Sequence, residues 1–190
     1  MRIREKKEKQ LEEEKPLNVK REILEWVILI AGTILLVIFL DTKVVVNSEV
    51  PSASMENTMM TGDHIFGNRM AYRDSDPERF DIVIFRMPDD KSQLYIKRII
   101  GLPGETVTIT DGKVYIDGSQ EPLDDSFIRE PMEGSFGSFQ VPEDCYFMLG
   151  DNRNNSNDSR YWLNPYVERA DILGKAFFRY LPLNRIGIVE

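Results

Sequence analysis

Apolar residues are concentrated in one uninterrupted run near the N-terminus. Residues 26–40 read WVILIAGTILLVIFL and carry no charge. At about 1.5 Å of rise per residue the run spans roughly 22 Å of helix, less than the roughly 30 Å hydrocarbon core of a bilayer. Because flanking charged side chains can snorkel to the membrane surface, the pattern predicts a transmembrane helix over residues 23–43. The basic residues before it predict a cytoplasmic N-terminus.

Two other interpretations of this run fit the sequence less well. A cleaved signal peptide ends in a small-x-small cleavage site, whereas Asp41, Thr42 and Lys43 follow directly here. The other alternative is a buried helix of a soluble protein, but this stretch is apolar on every side and has no polar face. The predicted organisation is therefore a charged cytoplasmic tail over residues 1–22, the helix over 23–43 and an extracytoplasmic domain over 44–190.

Beyond the run, short alternating stretches separated by turn residues predict a mostly β domain of short antiparallel strands. Pro and Gly recur at short spacing, and no long segment has helical periodicity. Asp111 and Gly112 lie between two alternating runs, which predicts a two-residue hairpin turn. The strand-like stretches are Asp81–Arg86, Leu94–Ile100, Val107–Ile116, Cys145–Leu149 and Lys175–Tyr180.

Composition and charge then narrow the function. The chain has 190 residues, of which 42% are apolar and 29% charged, a globular composition. One Cys excludes an internal disulfide framework and a multi-Cys zinc site, and one His excludes a His-rich metal cluster. The net charge of −8 argues against nucleic-acid binding.

Two segments of the predicted β domain are candidates for chemistry. Residues 51–55 read PSASM, which fits an exposed turn with two hydroxyls or a plain juxtamembrane linker. The second segment is the predicted strand Leu94–Ile100, on which Lys97 shares one face with Tyr95 and Ile99. Burial there would lower the lysine pKa from about 10.4 to about 8, a shift that corresponds to a free-energy cost of roughly 3 kcal/mol for the charged form. A neutral lysine can act as a general base. The alternative is an edge-strand lysine that points to water.

A third segment, residues 150–160, reads GDNRNNSNDSR and is too polar for a core strand, so we expect a loop. A calcium loop needs acidic or amide ligands at its first, third and fifth positions and Glu at its twelfth. Counted from Asp151, the third position is Arg153 and the twelfth is Trp162, so this interpretation fails. Asn154 and Asn157 begin glycosylation sequons, a weak signal in such a loop.

Together the segments resemble the bacterial type I signal peptidases, the membrane-anchored Ser–Lys endopeptidases that remove signal peptides from exported proteins. They follow the family's order and cover nearly the whole ectodomain. They are PSASM at 51–55, GDHI at 62–65, RFDIVIF at 79–85, YIKRIIGLPGE at 95–105, GDNRNNSNDSR at 150–160 and GKAFFRY at 174–180. The short length and single predicted span are similar to the compact form of the family.

The resemblance implies the catalytic roles. Ser54 matches the family's nucleophile and Lys97 its general base, a variant of the serine-nucleophile template that needs no imidazole. Ser52 matches the residue whose hydroxyl joins the Ser54 backbone N–H in an oxyanion hole. Ser156 matches a loop serine that hydrogen-bonds to the lysine and orients it.

The resemblance also implies a substrate pocket and a braced loop. The family selects small side chains at the first and third residues before the cut, which requires a shallow apolar wall, and it binds the peptide as an added strand. The apolar residues at the matching positions are Val50, Met55, Met59, Tyr95 and Ile96. Loop bracing, rather than chemistry, is the role expected of Asp158 and Arg160, and also of Asp151 and Arg153.

The chain departs from the family pattern near the site. Asn57 replaces the usual Pro, so the turn after the nucleophile loses a constraint on φ. Met59 replaces the commoner Leu, which softens the pocket wall, and Leu163 replaces the usual Gly. These changes bear on fine specificity and loop rigidity and leave the Ser–Lys pair intact.

Other residues of chemical interest receive ordinary interpretations. His64 matches a variable position and is not expected to act as a triad base. Cys145, in an apolar stretch, is expected to fill the core. Phe136 and Phe139 lie in a Gly/Ser-rich stretch and fit either the core or the lipid interface.

The resemblance therefore predicts signal peptidase I, an endopeptidase that cleaves after small-x-small sites at the outer face of the plasma membrane, without metal or cofactor. The expected partners are exported preproteins, membrane lipid and the secretion translocon. The alternative is a catalytically silent anchored β domain that binds peptides or secretion partners, but Ser54, Lys97 and Ser156 are all present. Self-cleaving peptidases of the phage-repressor type also pair Ser with Lys, but they carry a DNA-binding domain for which residues 1–43 leave no room.

Overall fold

The structure, a computed structural model, describes residues 18–189. Its first element is helix α1, Val19–Phe39, which a π turn over Leu40–Val44 continues. The residues Val19–Val44 are long and apolar enough to cross a membrane, and they include the predicted span of 23–43. Residues 1–17, most of the expected cytoplasmic tail, lie outside the described residues.

The rest of the described chain is mostly antiparallel β-structure, as the alternating pattern predicts. The strands are β1 Val45–Glu49, β2 His64–Asn68, β3 Ile82–Met87, β4 Asp90–Gly101, β5 Thr106–Thr110, β6 Lys113–Ile116, β7 Gly137–Gln140, β8 Cys145–Leu149, β9 Tyr166–Glu168, β10 Ile172–Leu181 and β11 Gly187–Ile188. Every sequence stretch predicted as a strand overlaps at least one, with 107–116 covering the two strands of the hairpin, and the hairpin turn falls where expected. Asp111 and Gly112 both have positive φ, 49 and 73, which suits a two-residue turn between β5 and β6.

The larger sheet determines where the functional residues lie. Its order is β1-β2-β10-β3-β4-β8-β9, with β11 paired to β10, and the smaller sheet is β6-β5-β7. Strand β4 pairs with β3 from Asp90 to Arg98, but its pairing with β8 starts only at Arg98. The edge of β4 over residues 93–97 therefore pairs with no strand on its β8 side within the described chain. Lys97 lies at the end of this open edge.

Buried apolar side chains form three clusters around the sheets. The first packs β1, β2 and β3 against the residues that follow β1, and it includes Val50, Met55 and Met59. The third lies between the sheets, with Phe136, Phe139 and Cys145 partly buried against it. The Phe139 ring centroid is 4.7 Å from that of Phe147, so the core alternative fits both phenylalanines.

Candidate active site

A short turn after β1 presents the first serine of the site. Ser52 is extended, and Ala53–Met55 then form one 3₁₀ turn, closed by a hydrogen bond from the Glu56 N–H to the Ala53 carbonyl at 3.0 Å. The side chain of Met55 is buried in the first core cluster and fixes the turn against the sheet. Ser54, between Ala53 and Met55 in the turn, is 6% exposed.

The structure brings Ser54 and Lys97 together, although they are 43 residues apart in the sequence. Lys97 is only 3% exposed, and its Nζ donates a hydrogen bond to Ser54 Oγ at 2.6 Å and another to the Ile96 carbonyl at 3.2 Å. The same Nζ lies 5.3 Å from the centroid of the Tyr95 ring, so the two side chains share a face as alternation predicts. Lys97 is not the water-facing edge lysine of the alternative interpretation.

Burial changes the chemistry of this lysine. Loss of hydration lowers the pKa of Lys97 from 10.5 to about 8, and the opposing charges of Asp158 and Asp151 limit the shift. A substantial fraction of the amine is therefore neutral near pH 8. When it is neutral, the 2.6 Å contact allows the Ser54 hydroxyl to donate to the Nζ lone pair, which is the geometry for general-base activation.

The polar segment 150–160 is a loop, as predicted, and it begins directly against the serine turn. A Cβ atom at Gly150 would lie 2.3 Å from Ser156 Oγ and 2.4 Å from the Ser54 carbonyl oxygen, so only glycine fits this approach. Asn152 donates its backbone N–H to the Ser54 carbonyl at 3.1 Å, and its side-chain Nδ2 donates to the Ala53 carbonyl, also at 3.1 Å. The loop is thus attached to the turn that carries Ser54.

The predicted hydrogen bond between Ser156 and Lys97 is not formed in this structure. Ser156 is 8% exposed, and its Oγ has no hydrogen-bond partner among the described residues. The hydroxyl is packed against Gly150, while Lys97 donates to Ser54 and to its neighbour's carbonyl. The Ser156 hydroxyl therefore lies close to the serine turn but does not orient the lysine here.

Ser52 lies beside the same hydroxyl. Its Oγ donates a hydrogen bond to Ser54 Oγ at 3.2 Å. This contact places the Ser52 hydroxyl next to the candidate nucleophile, on the segment whose N–H groups are expected to hold an oxyanion. The expected oxyanion donors are the Ser52 hydroxyl and the Ser54 N–H. They are two residues apart, where the extended chain at Ser52 enters the 3₁₀ turn.

Two buried ion pairs hold the loop. Asp158 is fully buried, accepts the Gly150 N–H at 3.0 Å and pairs with Arg160 at 2.8 Å, which are the contacts that a bracing role requires. Asp151 forms a bidentate pair with Arg98, at 2.9 Å to Nε and 2.8 Å to Nη2. Arg98 was assigned no role from the sequence, where its only signal was a second charge next to Lys97 in the stretch 94–100.

The turn after the nucleophile segment follows a path that the family's usual Pro could not adopt. Asn57 has φ 95, and proline fixes φ near −65°. Asn is one of the few residues that tolerate this region. The next residue is held on both sides, since Thr58 Oγ1 donates to Asp151 at 2.6 Å and the Thr58 carbonyl accepts from Arg179 at 3.1 Å. These hydrogen bonds fix the turn that Asn57 begins.

A cleft of about 550 Å³ lies beside Ser54 and Lys97. Four of the five predicted pocket residues line it, but Met59 does not: it is fully buried in the core behind the wall. The lining residues are Val50, Pro51, Ser52, Ala53, Ser54, Met55, Gln93, Leu94, Tyr95, Ile96, Lys97, Asn155 and Asn157. The polar rim of Gln93, Asn155 and Asn157 could not be predicted from the sequence, because these strand and loop edges meet only in the folded chain.

The remaining candidates lie away from the cleft. His64 is on β2, where its Nδ1 is 3.4 Å from the Tyr180 hydroxyl, and it does not line the cleft. Cys145 begins β8, and burial raises the pKa of its thiol, which favours the unreactive form. Within residues 18–189, no three His, Cys, Asp or Glu side chains are grouped so that they could hold a metal ion.

A buried serine in contact with a lysine of lowered pKa, at the end of an open strand edge, defines the class of serine-nucleophile hydrolases. Comparison with known proteins specifies the family. The family model described as signal peptidase, peptidase S26 matches residues 23–181. The chain belongs to this family, as the resemblance predicts. It is a serine endopeptidase of the signal peptidase I type, and the apolar helix together with the family makes it a membrane-anchored protein.

Individual relatives cover most of the chain. A probable signal peptidase I-2 from Synechocystis sp. is 41% identical over 161 residues, which are 82% of this chain and 72% of the relative. A signal peptidase I from Leptolyngbya laminosa is 37% identical over 172 residues, 87% and 83% of the two chains. A crystal structure of a signal peptidase I from Enterococcus faecalis V583 matches with 36% identity and a TM-score of 0.44, over 53% of this chain and 97% of that one.

Proposed function

We propose that this chain removes signal peptides from exported preproteins, with Ser54 as the nucleophile and Lys97 as its general base. The observation that carries the proposal is the 2.6 Å contact between the Ser54 hydroxyl and a lysine amine that burial makes partly neutral. The family to which the chain belongs supports the substrate, because its relatives are named signal peptidases.

The reaction proceeds in two halves. Neutral Lys97 takes the Ser54 proton as Oγ attacks the scissile carbonyl, and the negative oxygen that forms is held by the Ser54 N–H and the Ser52 hydroxyl. Lys97, now an ammonium, gives its proton to the leaving amine, and the C–N bond breaks. Water then attacks the acyl ester, with Lys97 again as base, and Ser54 regains its proton as the signal peptide leaves.

The open edge of β4 supports a binding mode for the peptide. On the side that faces away from β3, the main chain over residues 93–97 pairs with no strand of the described chain, so an added strand can pair there and gain affinity without regard to sequence. The apolar wall of Val50, Met55 and Ile96 favours small, uncharged side chains beside Ser54. Residues of the small-x-small type next to the cut fit this cleft.

The membrane arrangement is part of the same proposal. The basic residues of the N-terminal segment favour a cytoplasmic N-terminus, so one span delivers the catalytic domain to the outer face of the plasma membrane. Membrane lipid and the secretion translocon are the partners expected there, since signal peptides emerge at that face.

The proposal is tested by mass-spectrometric cleavage of a signal-peptide substrate ending in Ala-x-Ala, with the full chain in detergent. We expect the wild type to cut after the last Ala and Ser54→Ala to lose activity by about 10³-fold or more, because the nucleophile is gone. Ser75→Ala, an exposed serine remote from the cleft, is the matched control and should cleave like the wild type. No cleavage by the wild type would favour a peptide-binding domain, and an active Ser54→Ala would place the nucleophile elsewhere.

The pH dependence of kcat/KM should follow the protonation of Lys97. Only the neutral amine can accept the serine proton, so the rate rises about tenfold per pH unit below pH 8 and levels off above the pKa of about 8. Stopped assays over pH 5.5–10.5 at constant ionic strength measure the profile. A plateau that begins near pH 6.5 would point to His64 as the base, and one near pH 10.5 to an exposed lysine.

A further inference from the structure

One peptide unit carries both a proposed catalytic donor and an unusually well-held carbonyl. The unit between Ala53 and Ser54 contributes the Ser54 N–H, the backbone donor of the proposed oxyanion hole. Its carbonyl accepts two hydrogen bonds, from the Glu56 N–H at 3.0 Å and from Asn152 Nδ2 at 3.1 Å. The first closes the local turn, whereas the second comes from a loop 99 residues away.

The geometry of a peptide unit links these two groups. The C=O and N–H of a trans peptide lie in one plane and point in opposite directions, so whatever fixes the carbonyl also fixes the N–H. The Ala53–Ser54 bond is not among the cis peptides of the described chain. A hydrogen bond to the carbonyl also polarises the amide and strengthens its N–H as a donor. Asn152 therefore acts on the oxyanion donor from the far side of the same amide.

We propose that the Asn152 side chain is a positioning residue that aims and polarises the Ser54 N–H for oxyanion binding. This inference rests on the proposed function, because it assumes that Ser54 is the nucleophile. Asn152 is itself well anchored: its backbone N–H donates to the Ser54 carbonyl at 3.1 Å, and its neighbour Asp151 is paired with Arg98. The side-chain amide thus reaches Ala53 from a fixed point.

The anchoring makes a clean experiment possible. Replacing the side chain removes the hydrogen bond to Ala53 and leaves the backbone bond to Ser54 in place. Asn152→Ala removes the donor, and Asn152→Asp keeps the shape but sets a carboxylate against the carbonyl oxygen. Asn154→Ala is the matched control, because Asn154 lies in the same loop and its Nδ2 also donates to a carbonyl, that of Pro131 at 3.0 Å, remote from Ser54.

We expect kcat for the Ala-x-Ala substrate to fall about tenfold or more in both Asn152 variants, with KM changed less than twofold. Loss of an entire oxyanion-hole donor costs about 10²–10³ in kcat, and misaiming one costs less. Asn154→Ala should retain wild-type kcat. Near-UV circular dichroism and the urea midpoint establish whether each variant is folded. If Asn152→Ala does not fold, Asn152→Asp alone tests the inference.

A second readout separates positioning from a general structural effect. A peptide aldehyde forms a tetrahedral adduct that needs the oxyanion hole, whereas an uncleaved substrate peptide bound to the Ser54→Ala background does not. We expect Asn152→Asp to lower the affinity for the peptide aldehyde about tenfold and to leave the affinity for the substrate peptide unchanged. Equal weakening of both ligands, or kinetics like those of Asn154→Ala while the wild type cleaves, would overturn the inference. A wild type that does not cleave would instead overturn the proposed function.

Discussion

Lys97→Met should abolish cleavage and at the same time stabilise the folded domain at neutral pH. The amine is the only base within hydrogen-bond distance of Ser54 in the described chain, so we expect a loss of about 10³-fold or more in kcat. The stability gain follows from the lowered pKa: between about 8 and 10.5 the unfolded chain binds a proton that the folded chain does not, so stability rises with pH across this window. Below it the wild type carries the full cost of a buried ammonium, about 3 kcal/mol.

Urea unfolding of the full chain in detergent, at pH 7 and pH 11, measures this effect. Methionine is similar in length and has no charge. The free energy of unfolding of the variant should therefore exceed that of the wild type by up to about 3 kcal/mol at pH 7, and this difference should vanish by pH 11. Lys113→Met, at an exposed position on β6, is the control and should change stability little at either pH. A gain that is the same at both pH values would mean that packing, not charge burial, causes it.

Asp151→Ala should be the most destabilising single substitution near the site. It leaves the Arg98 guanidinium buried without its bidentate partner, and breaking a buried pair in this way costs about 3–5 kcal/mol. Thr58 would also lose the acceptor of its 2.6 Å hydrogen bond, which loosens the turn after Asn57. Urea or thermal unfolding, followed by near-UV circular dichroism, measures the loss.

The matched control is Asp76→Ala. Asp76 also pairs with an arginine, Arg169, but it is 87% exposed, and a surface pair contributes about 0–1 kcal/mol. A double variant, Arg98→Met with Asp151→Leu, should recover much of the lost stability, because no unpaired charge remains. If Asp151→Ala costs no more than Asp76→Ala, Arg98 has found another partner and the pair is not what holds the loop.

The strands around the site could be predicted from the sequence because their side chains alternate or form short apolar runs. Residues 82–85 and 146–149 are buried on both faces and form short apolar runs. Strand β1 was harder, since Val45 and Val46 directly follow the apolar helix and continue its composition. Strands β7 and β9, of four and three residues, are too short to show a period.

The candidate site residues could be identified from ordered motifs, but their contacts could not be predicted. Alternation predicted that Tyr95 and Lys97 share a face, and the structure agrees. It could not predict that Ser156 packs against Gly150, because a loop side chain's direction depends on backbone torsions that have no periodicity. Met59 illustrates the same limit: its apolar character fits a pocket wall or the core behind it, and only the packing decides.

The separation of the proposed catalytic groups along the chain has a consequence for folding. Ser54 contacts a base 43 residues later, and its turn is tied to a loop about a hundred residues later. Such non-local contacts form late, because long loops must close before any contact rewards them. Until β4 lies beside the serine turn, Ser54 lacks the Lys97 amine that is proposed to activate it. Because the proposed activity needs the contact between Ser54 and Lys97, a chain whose strands have not yet assembled should not cleave itself or its neighbours.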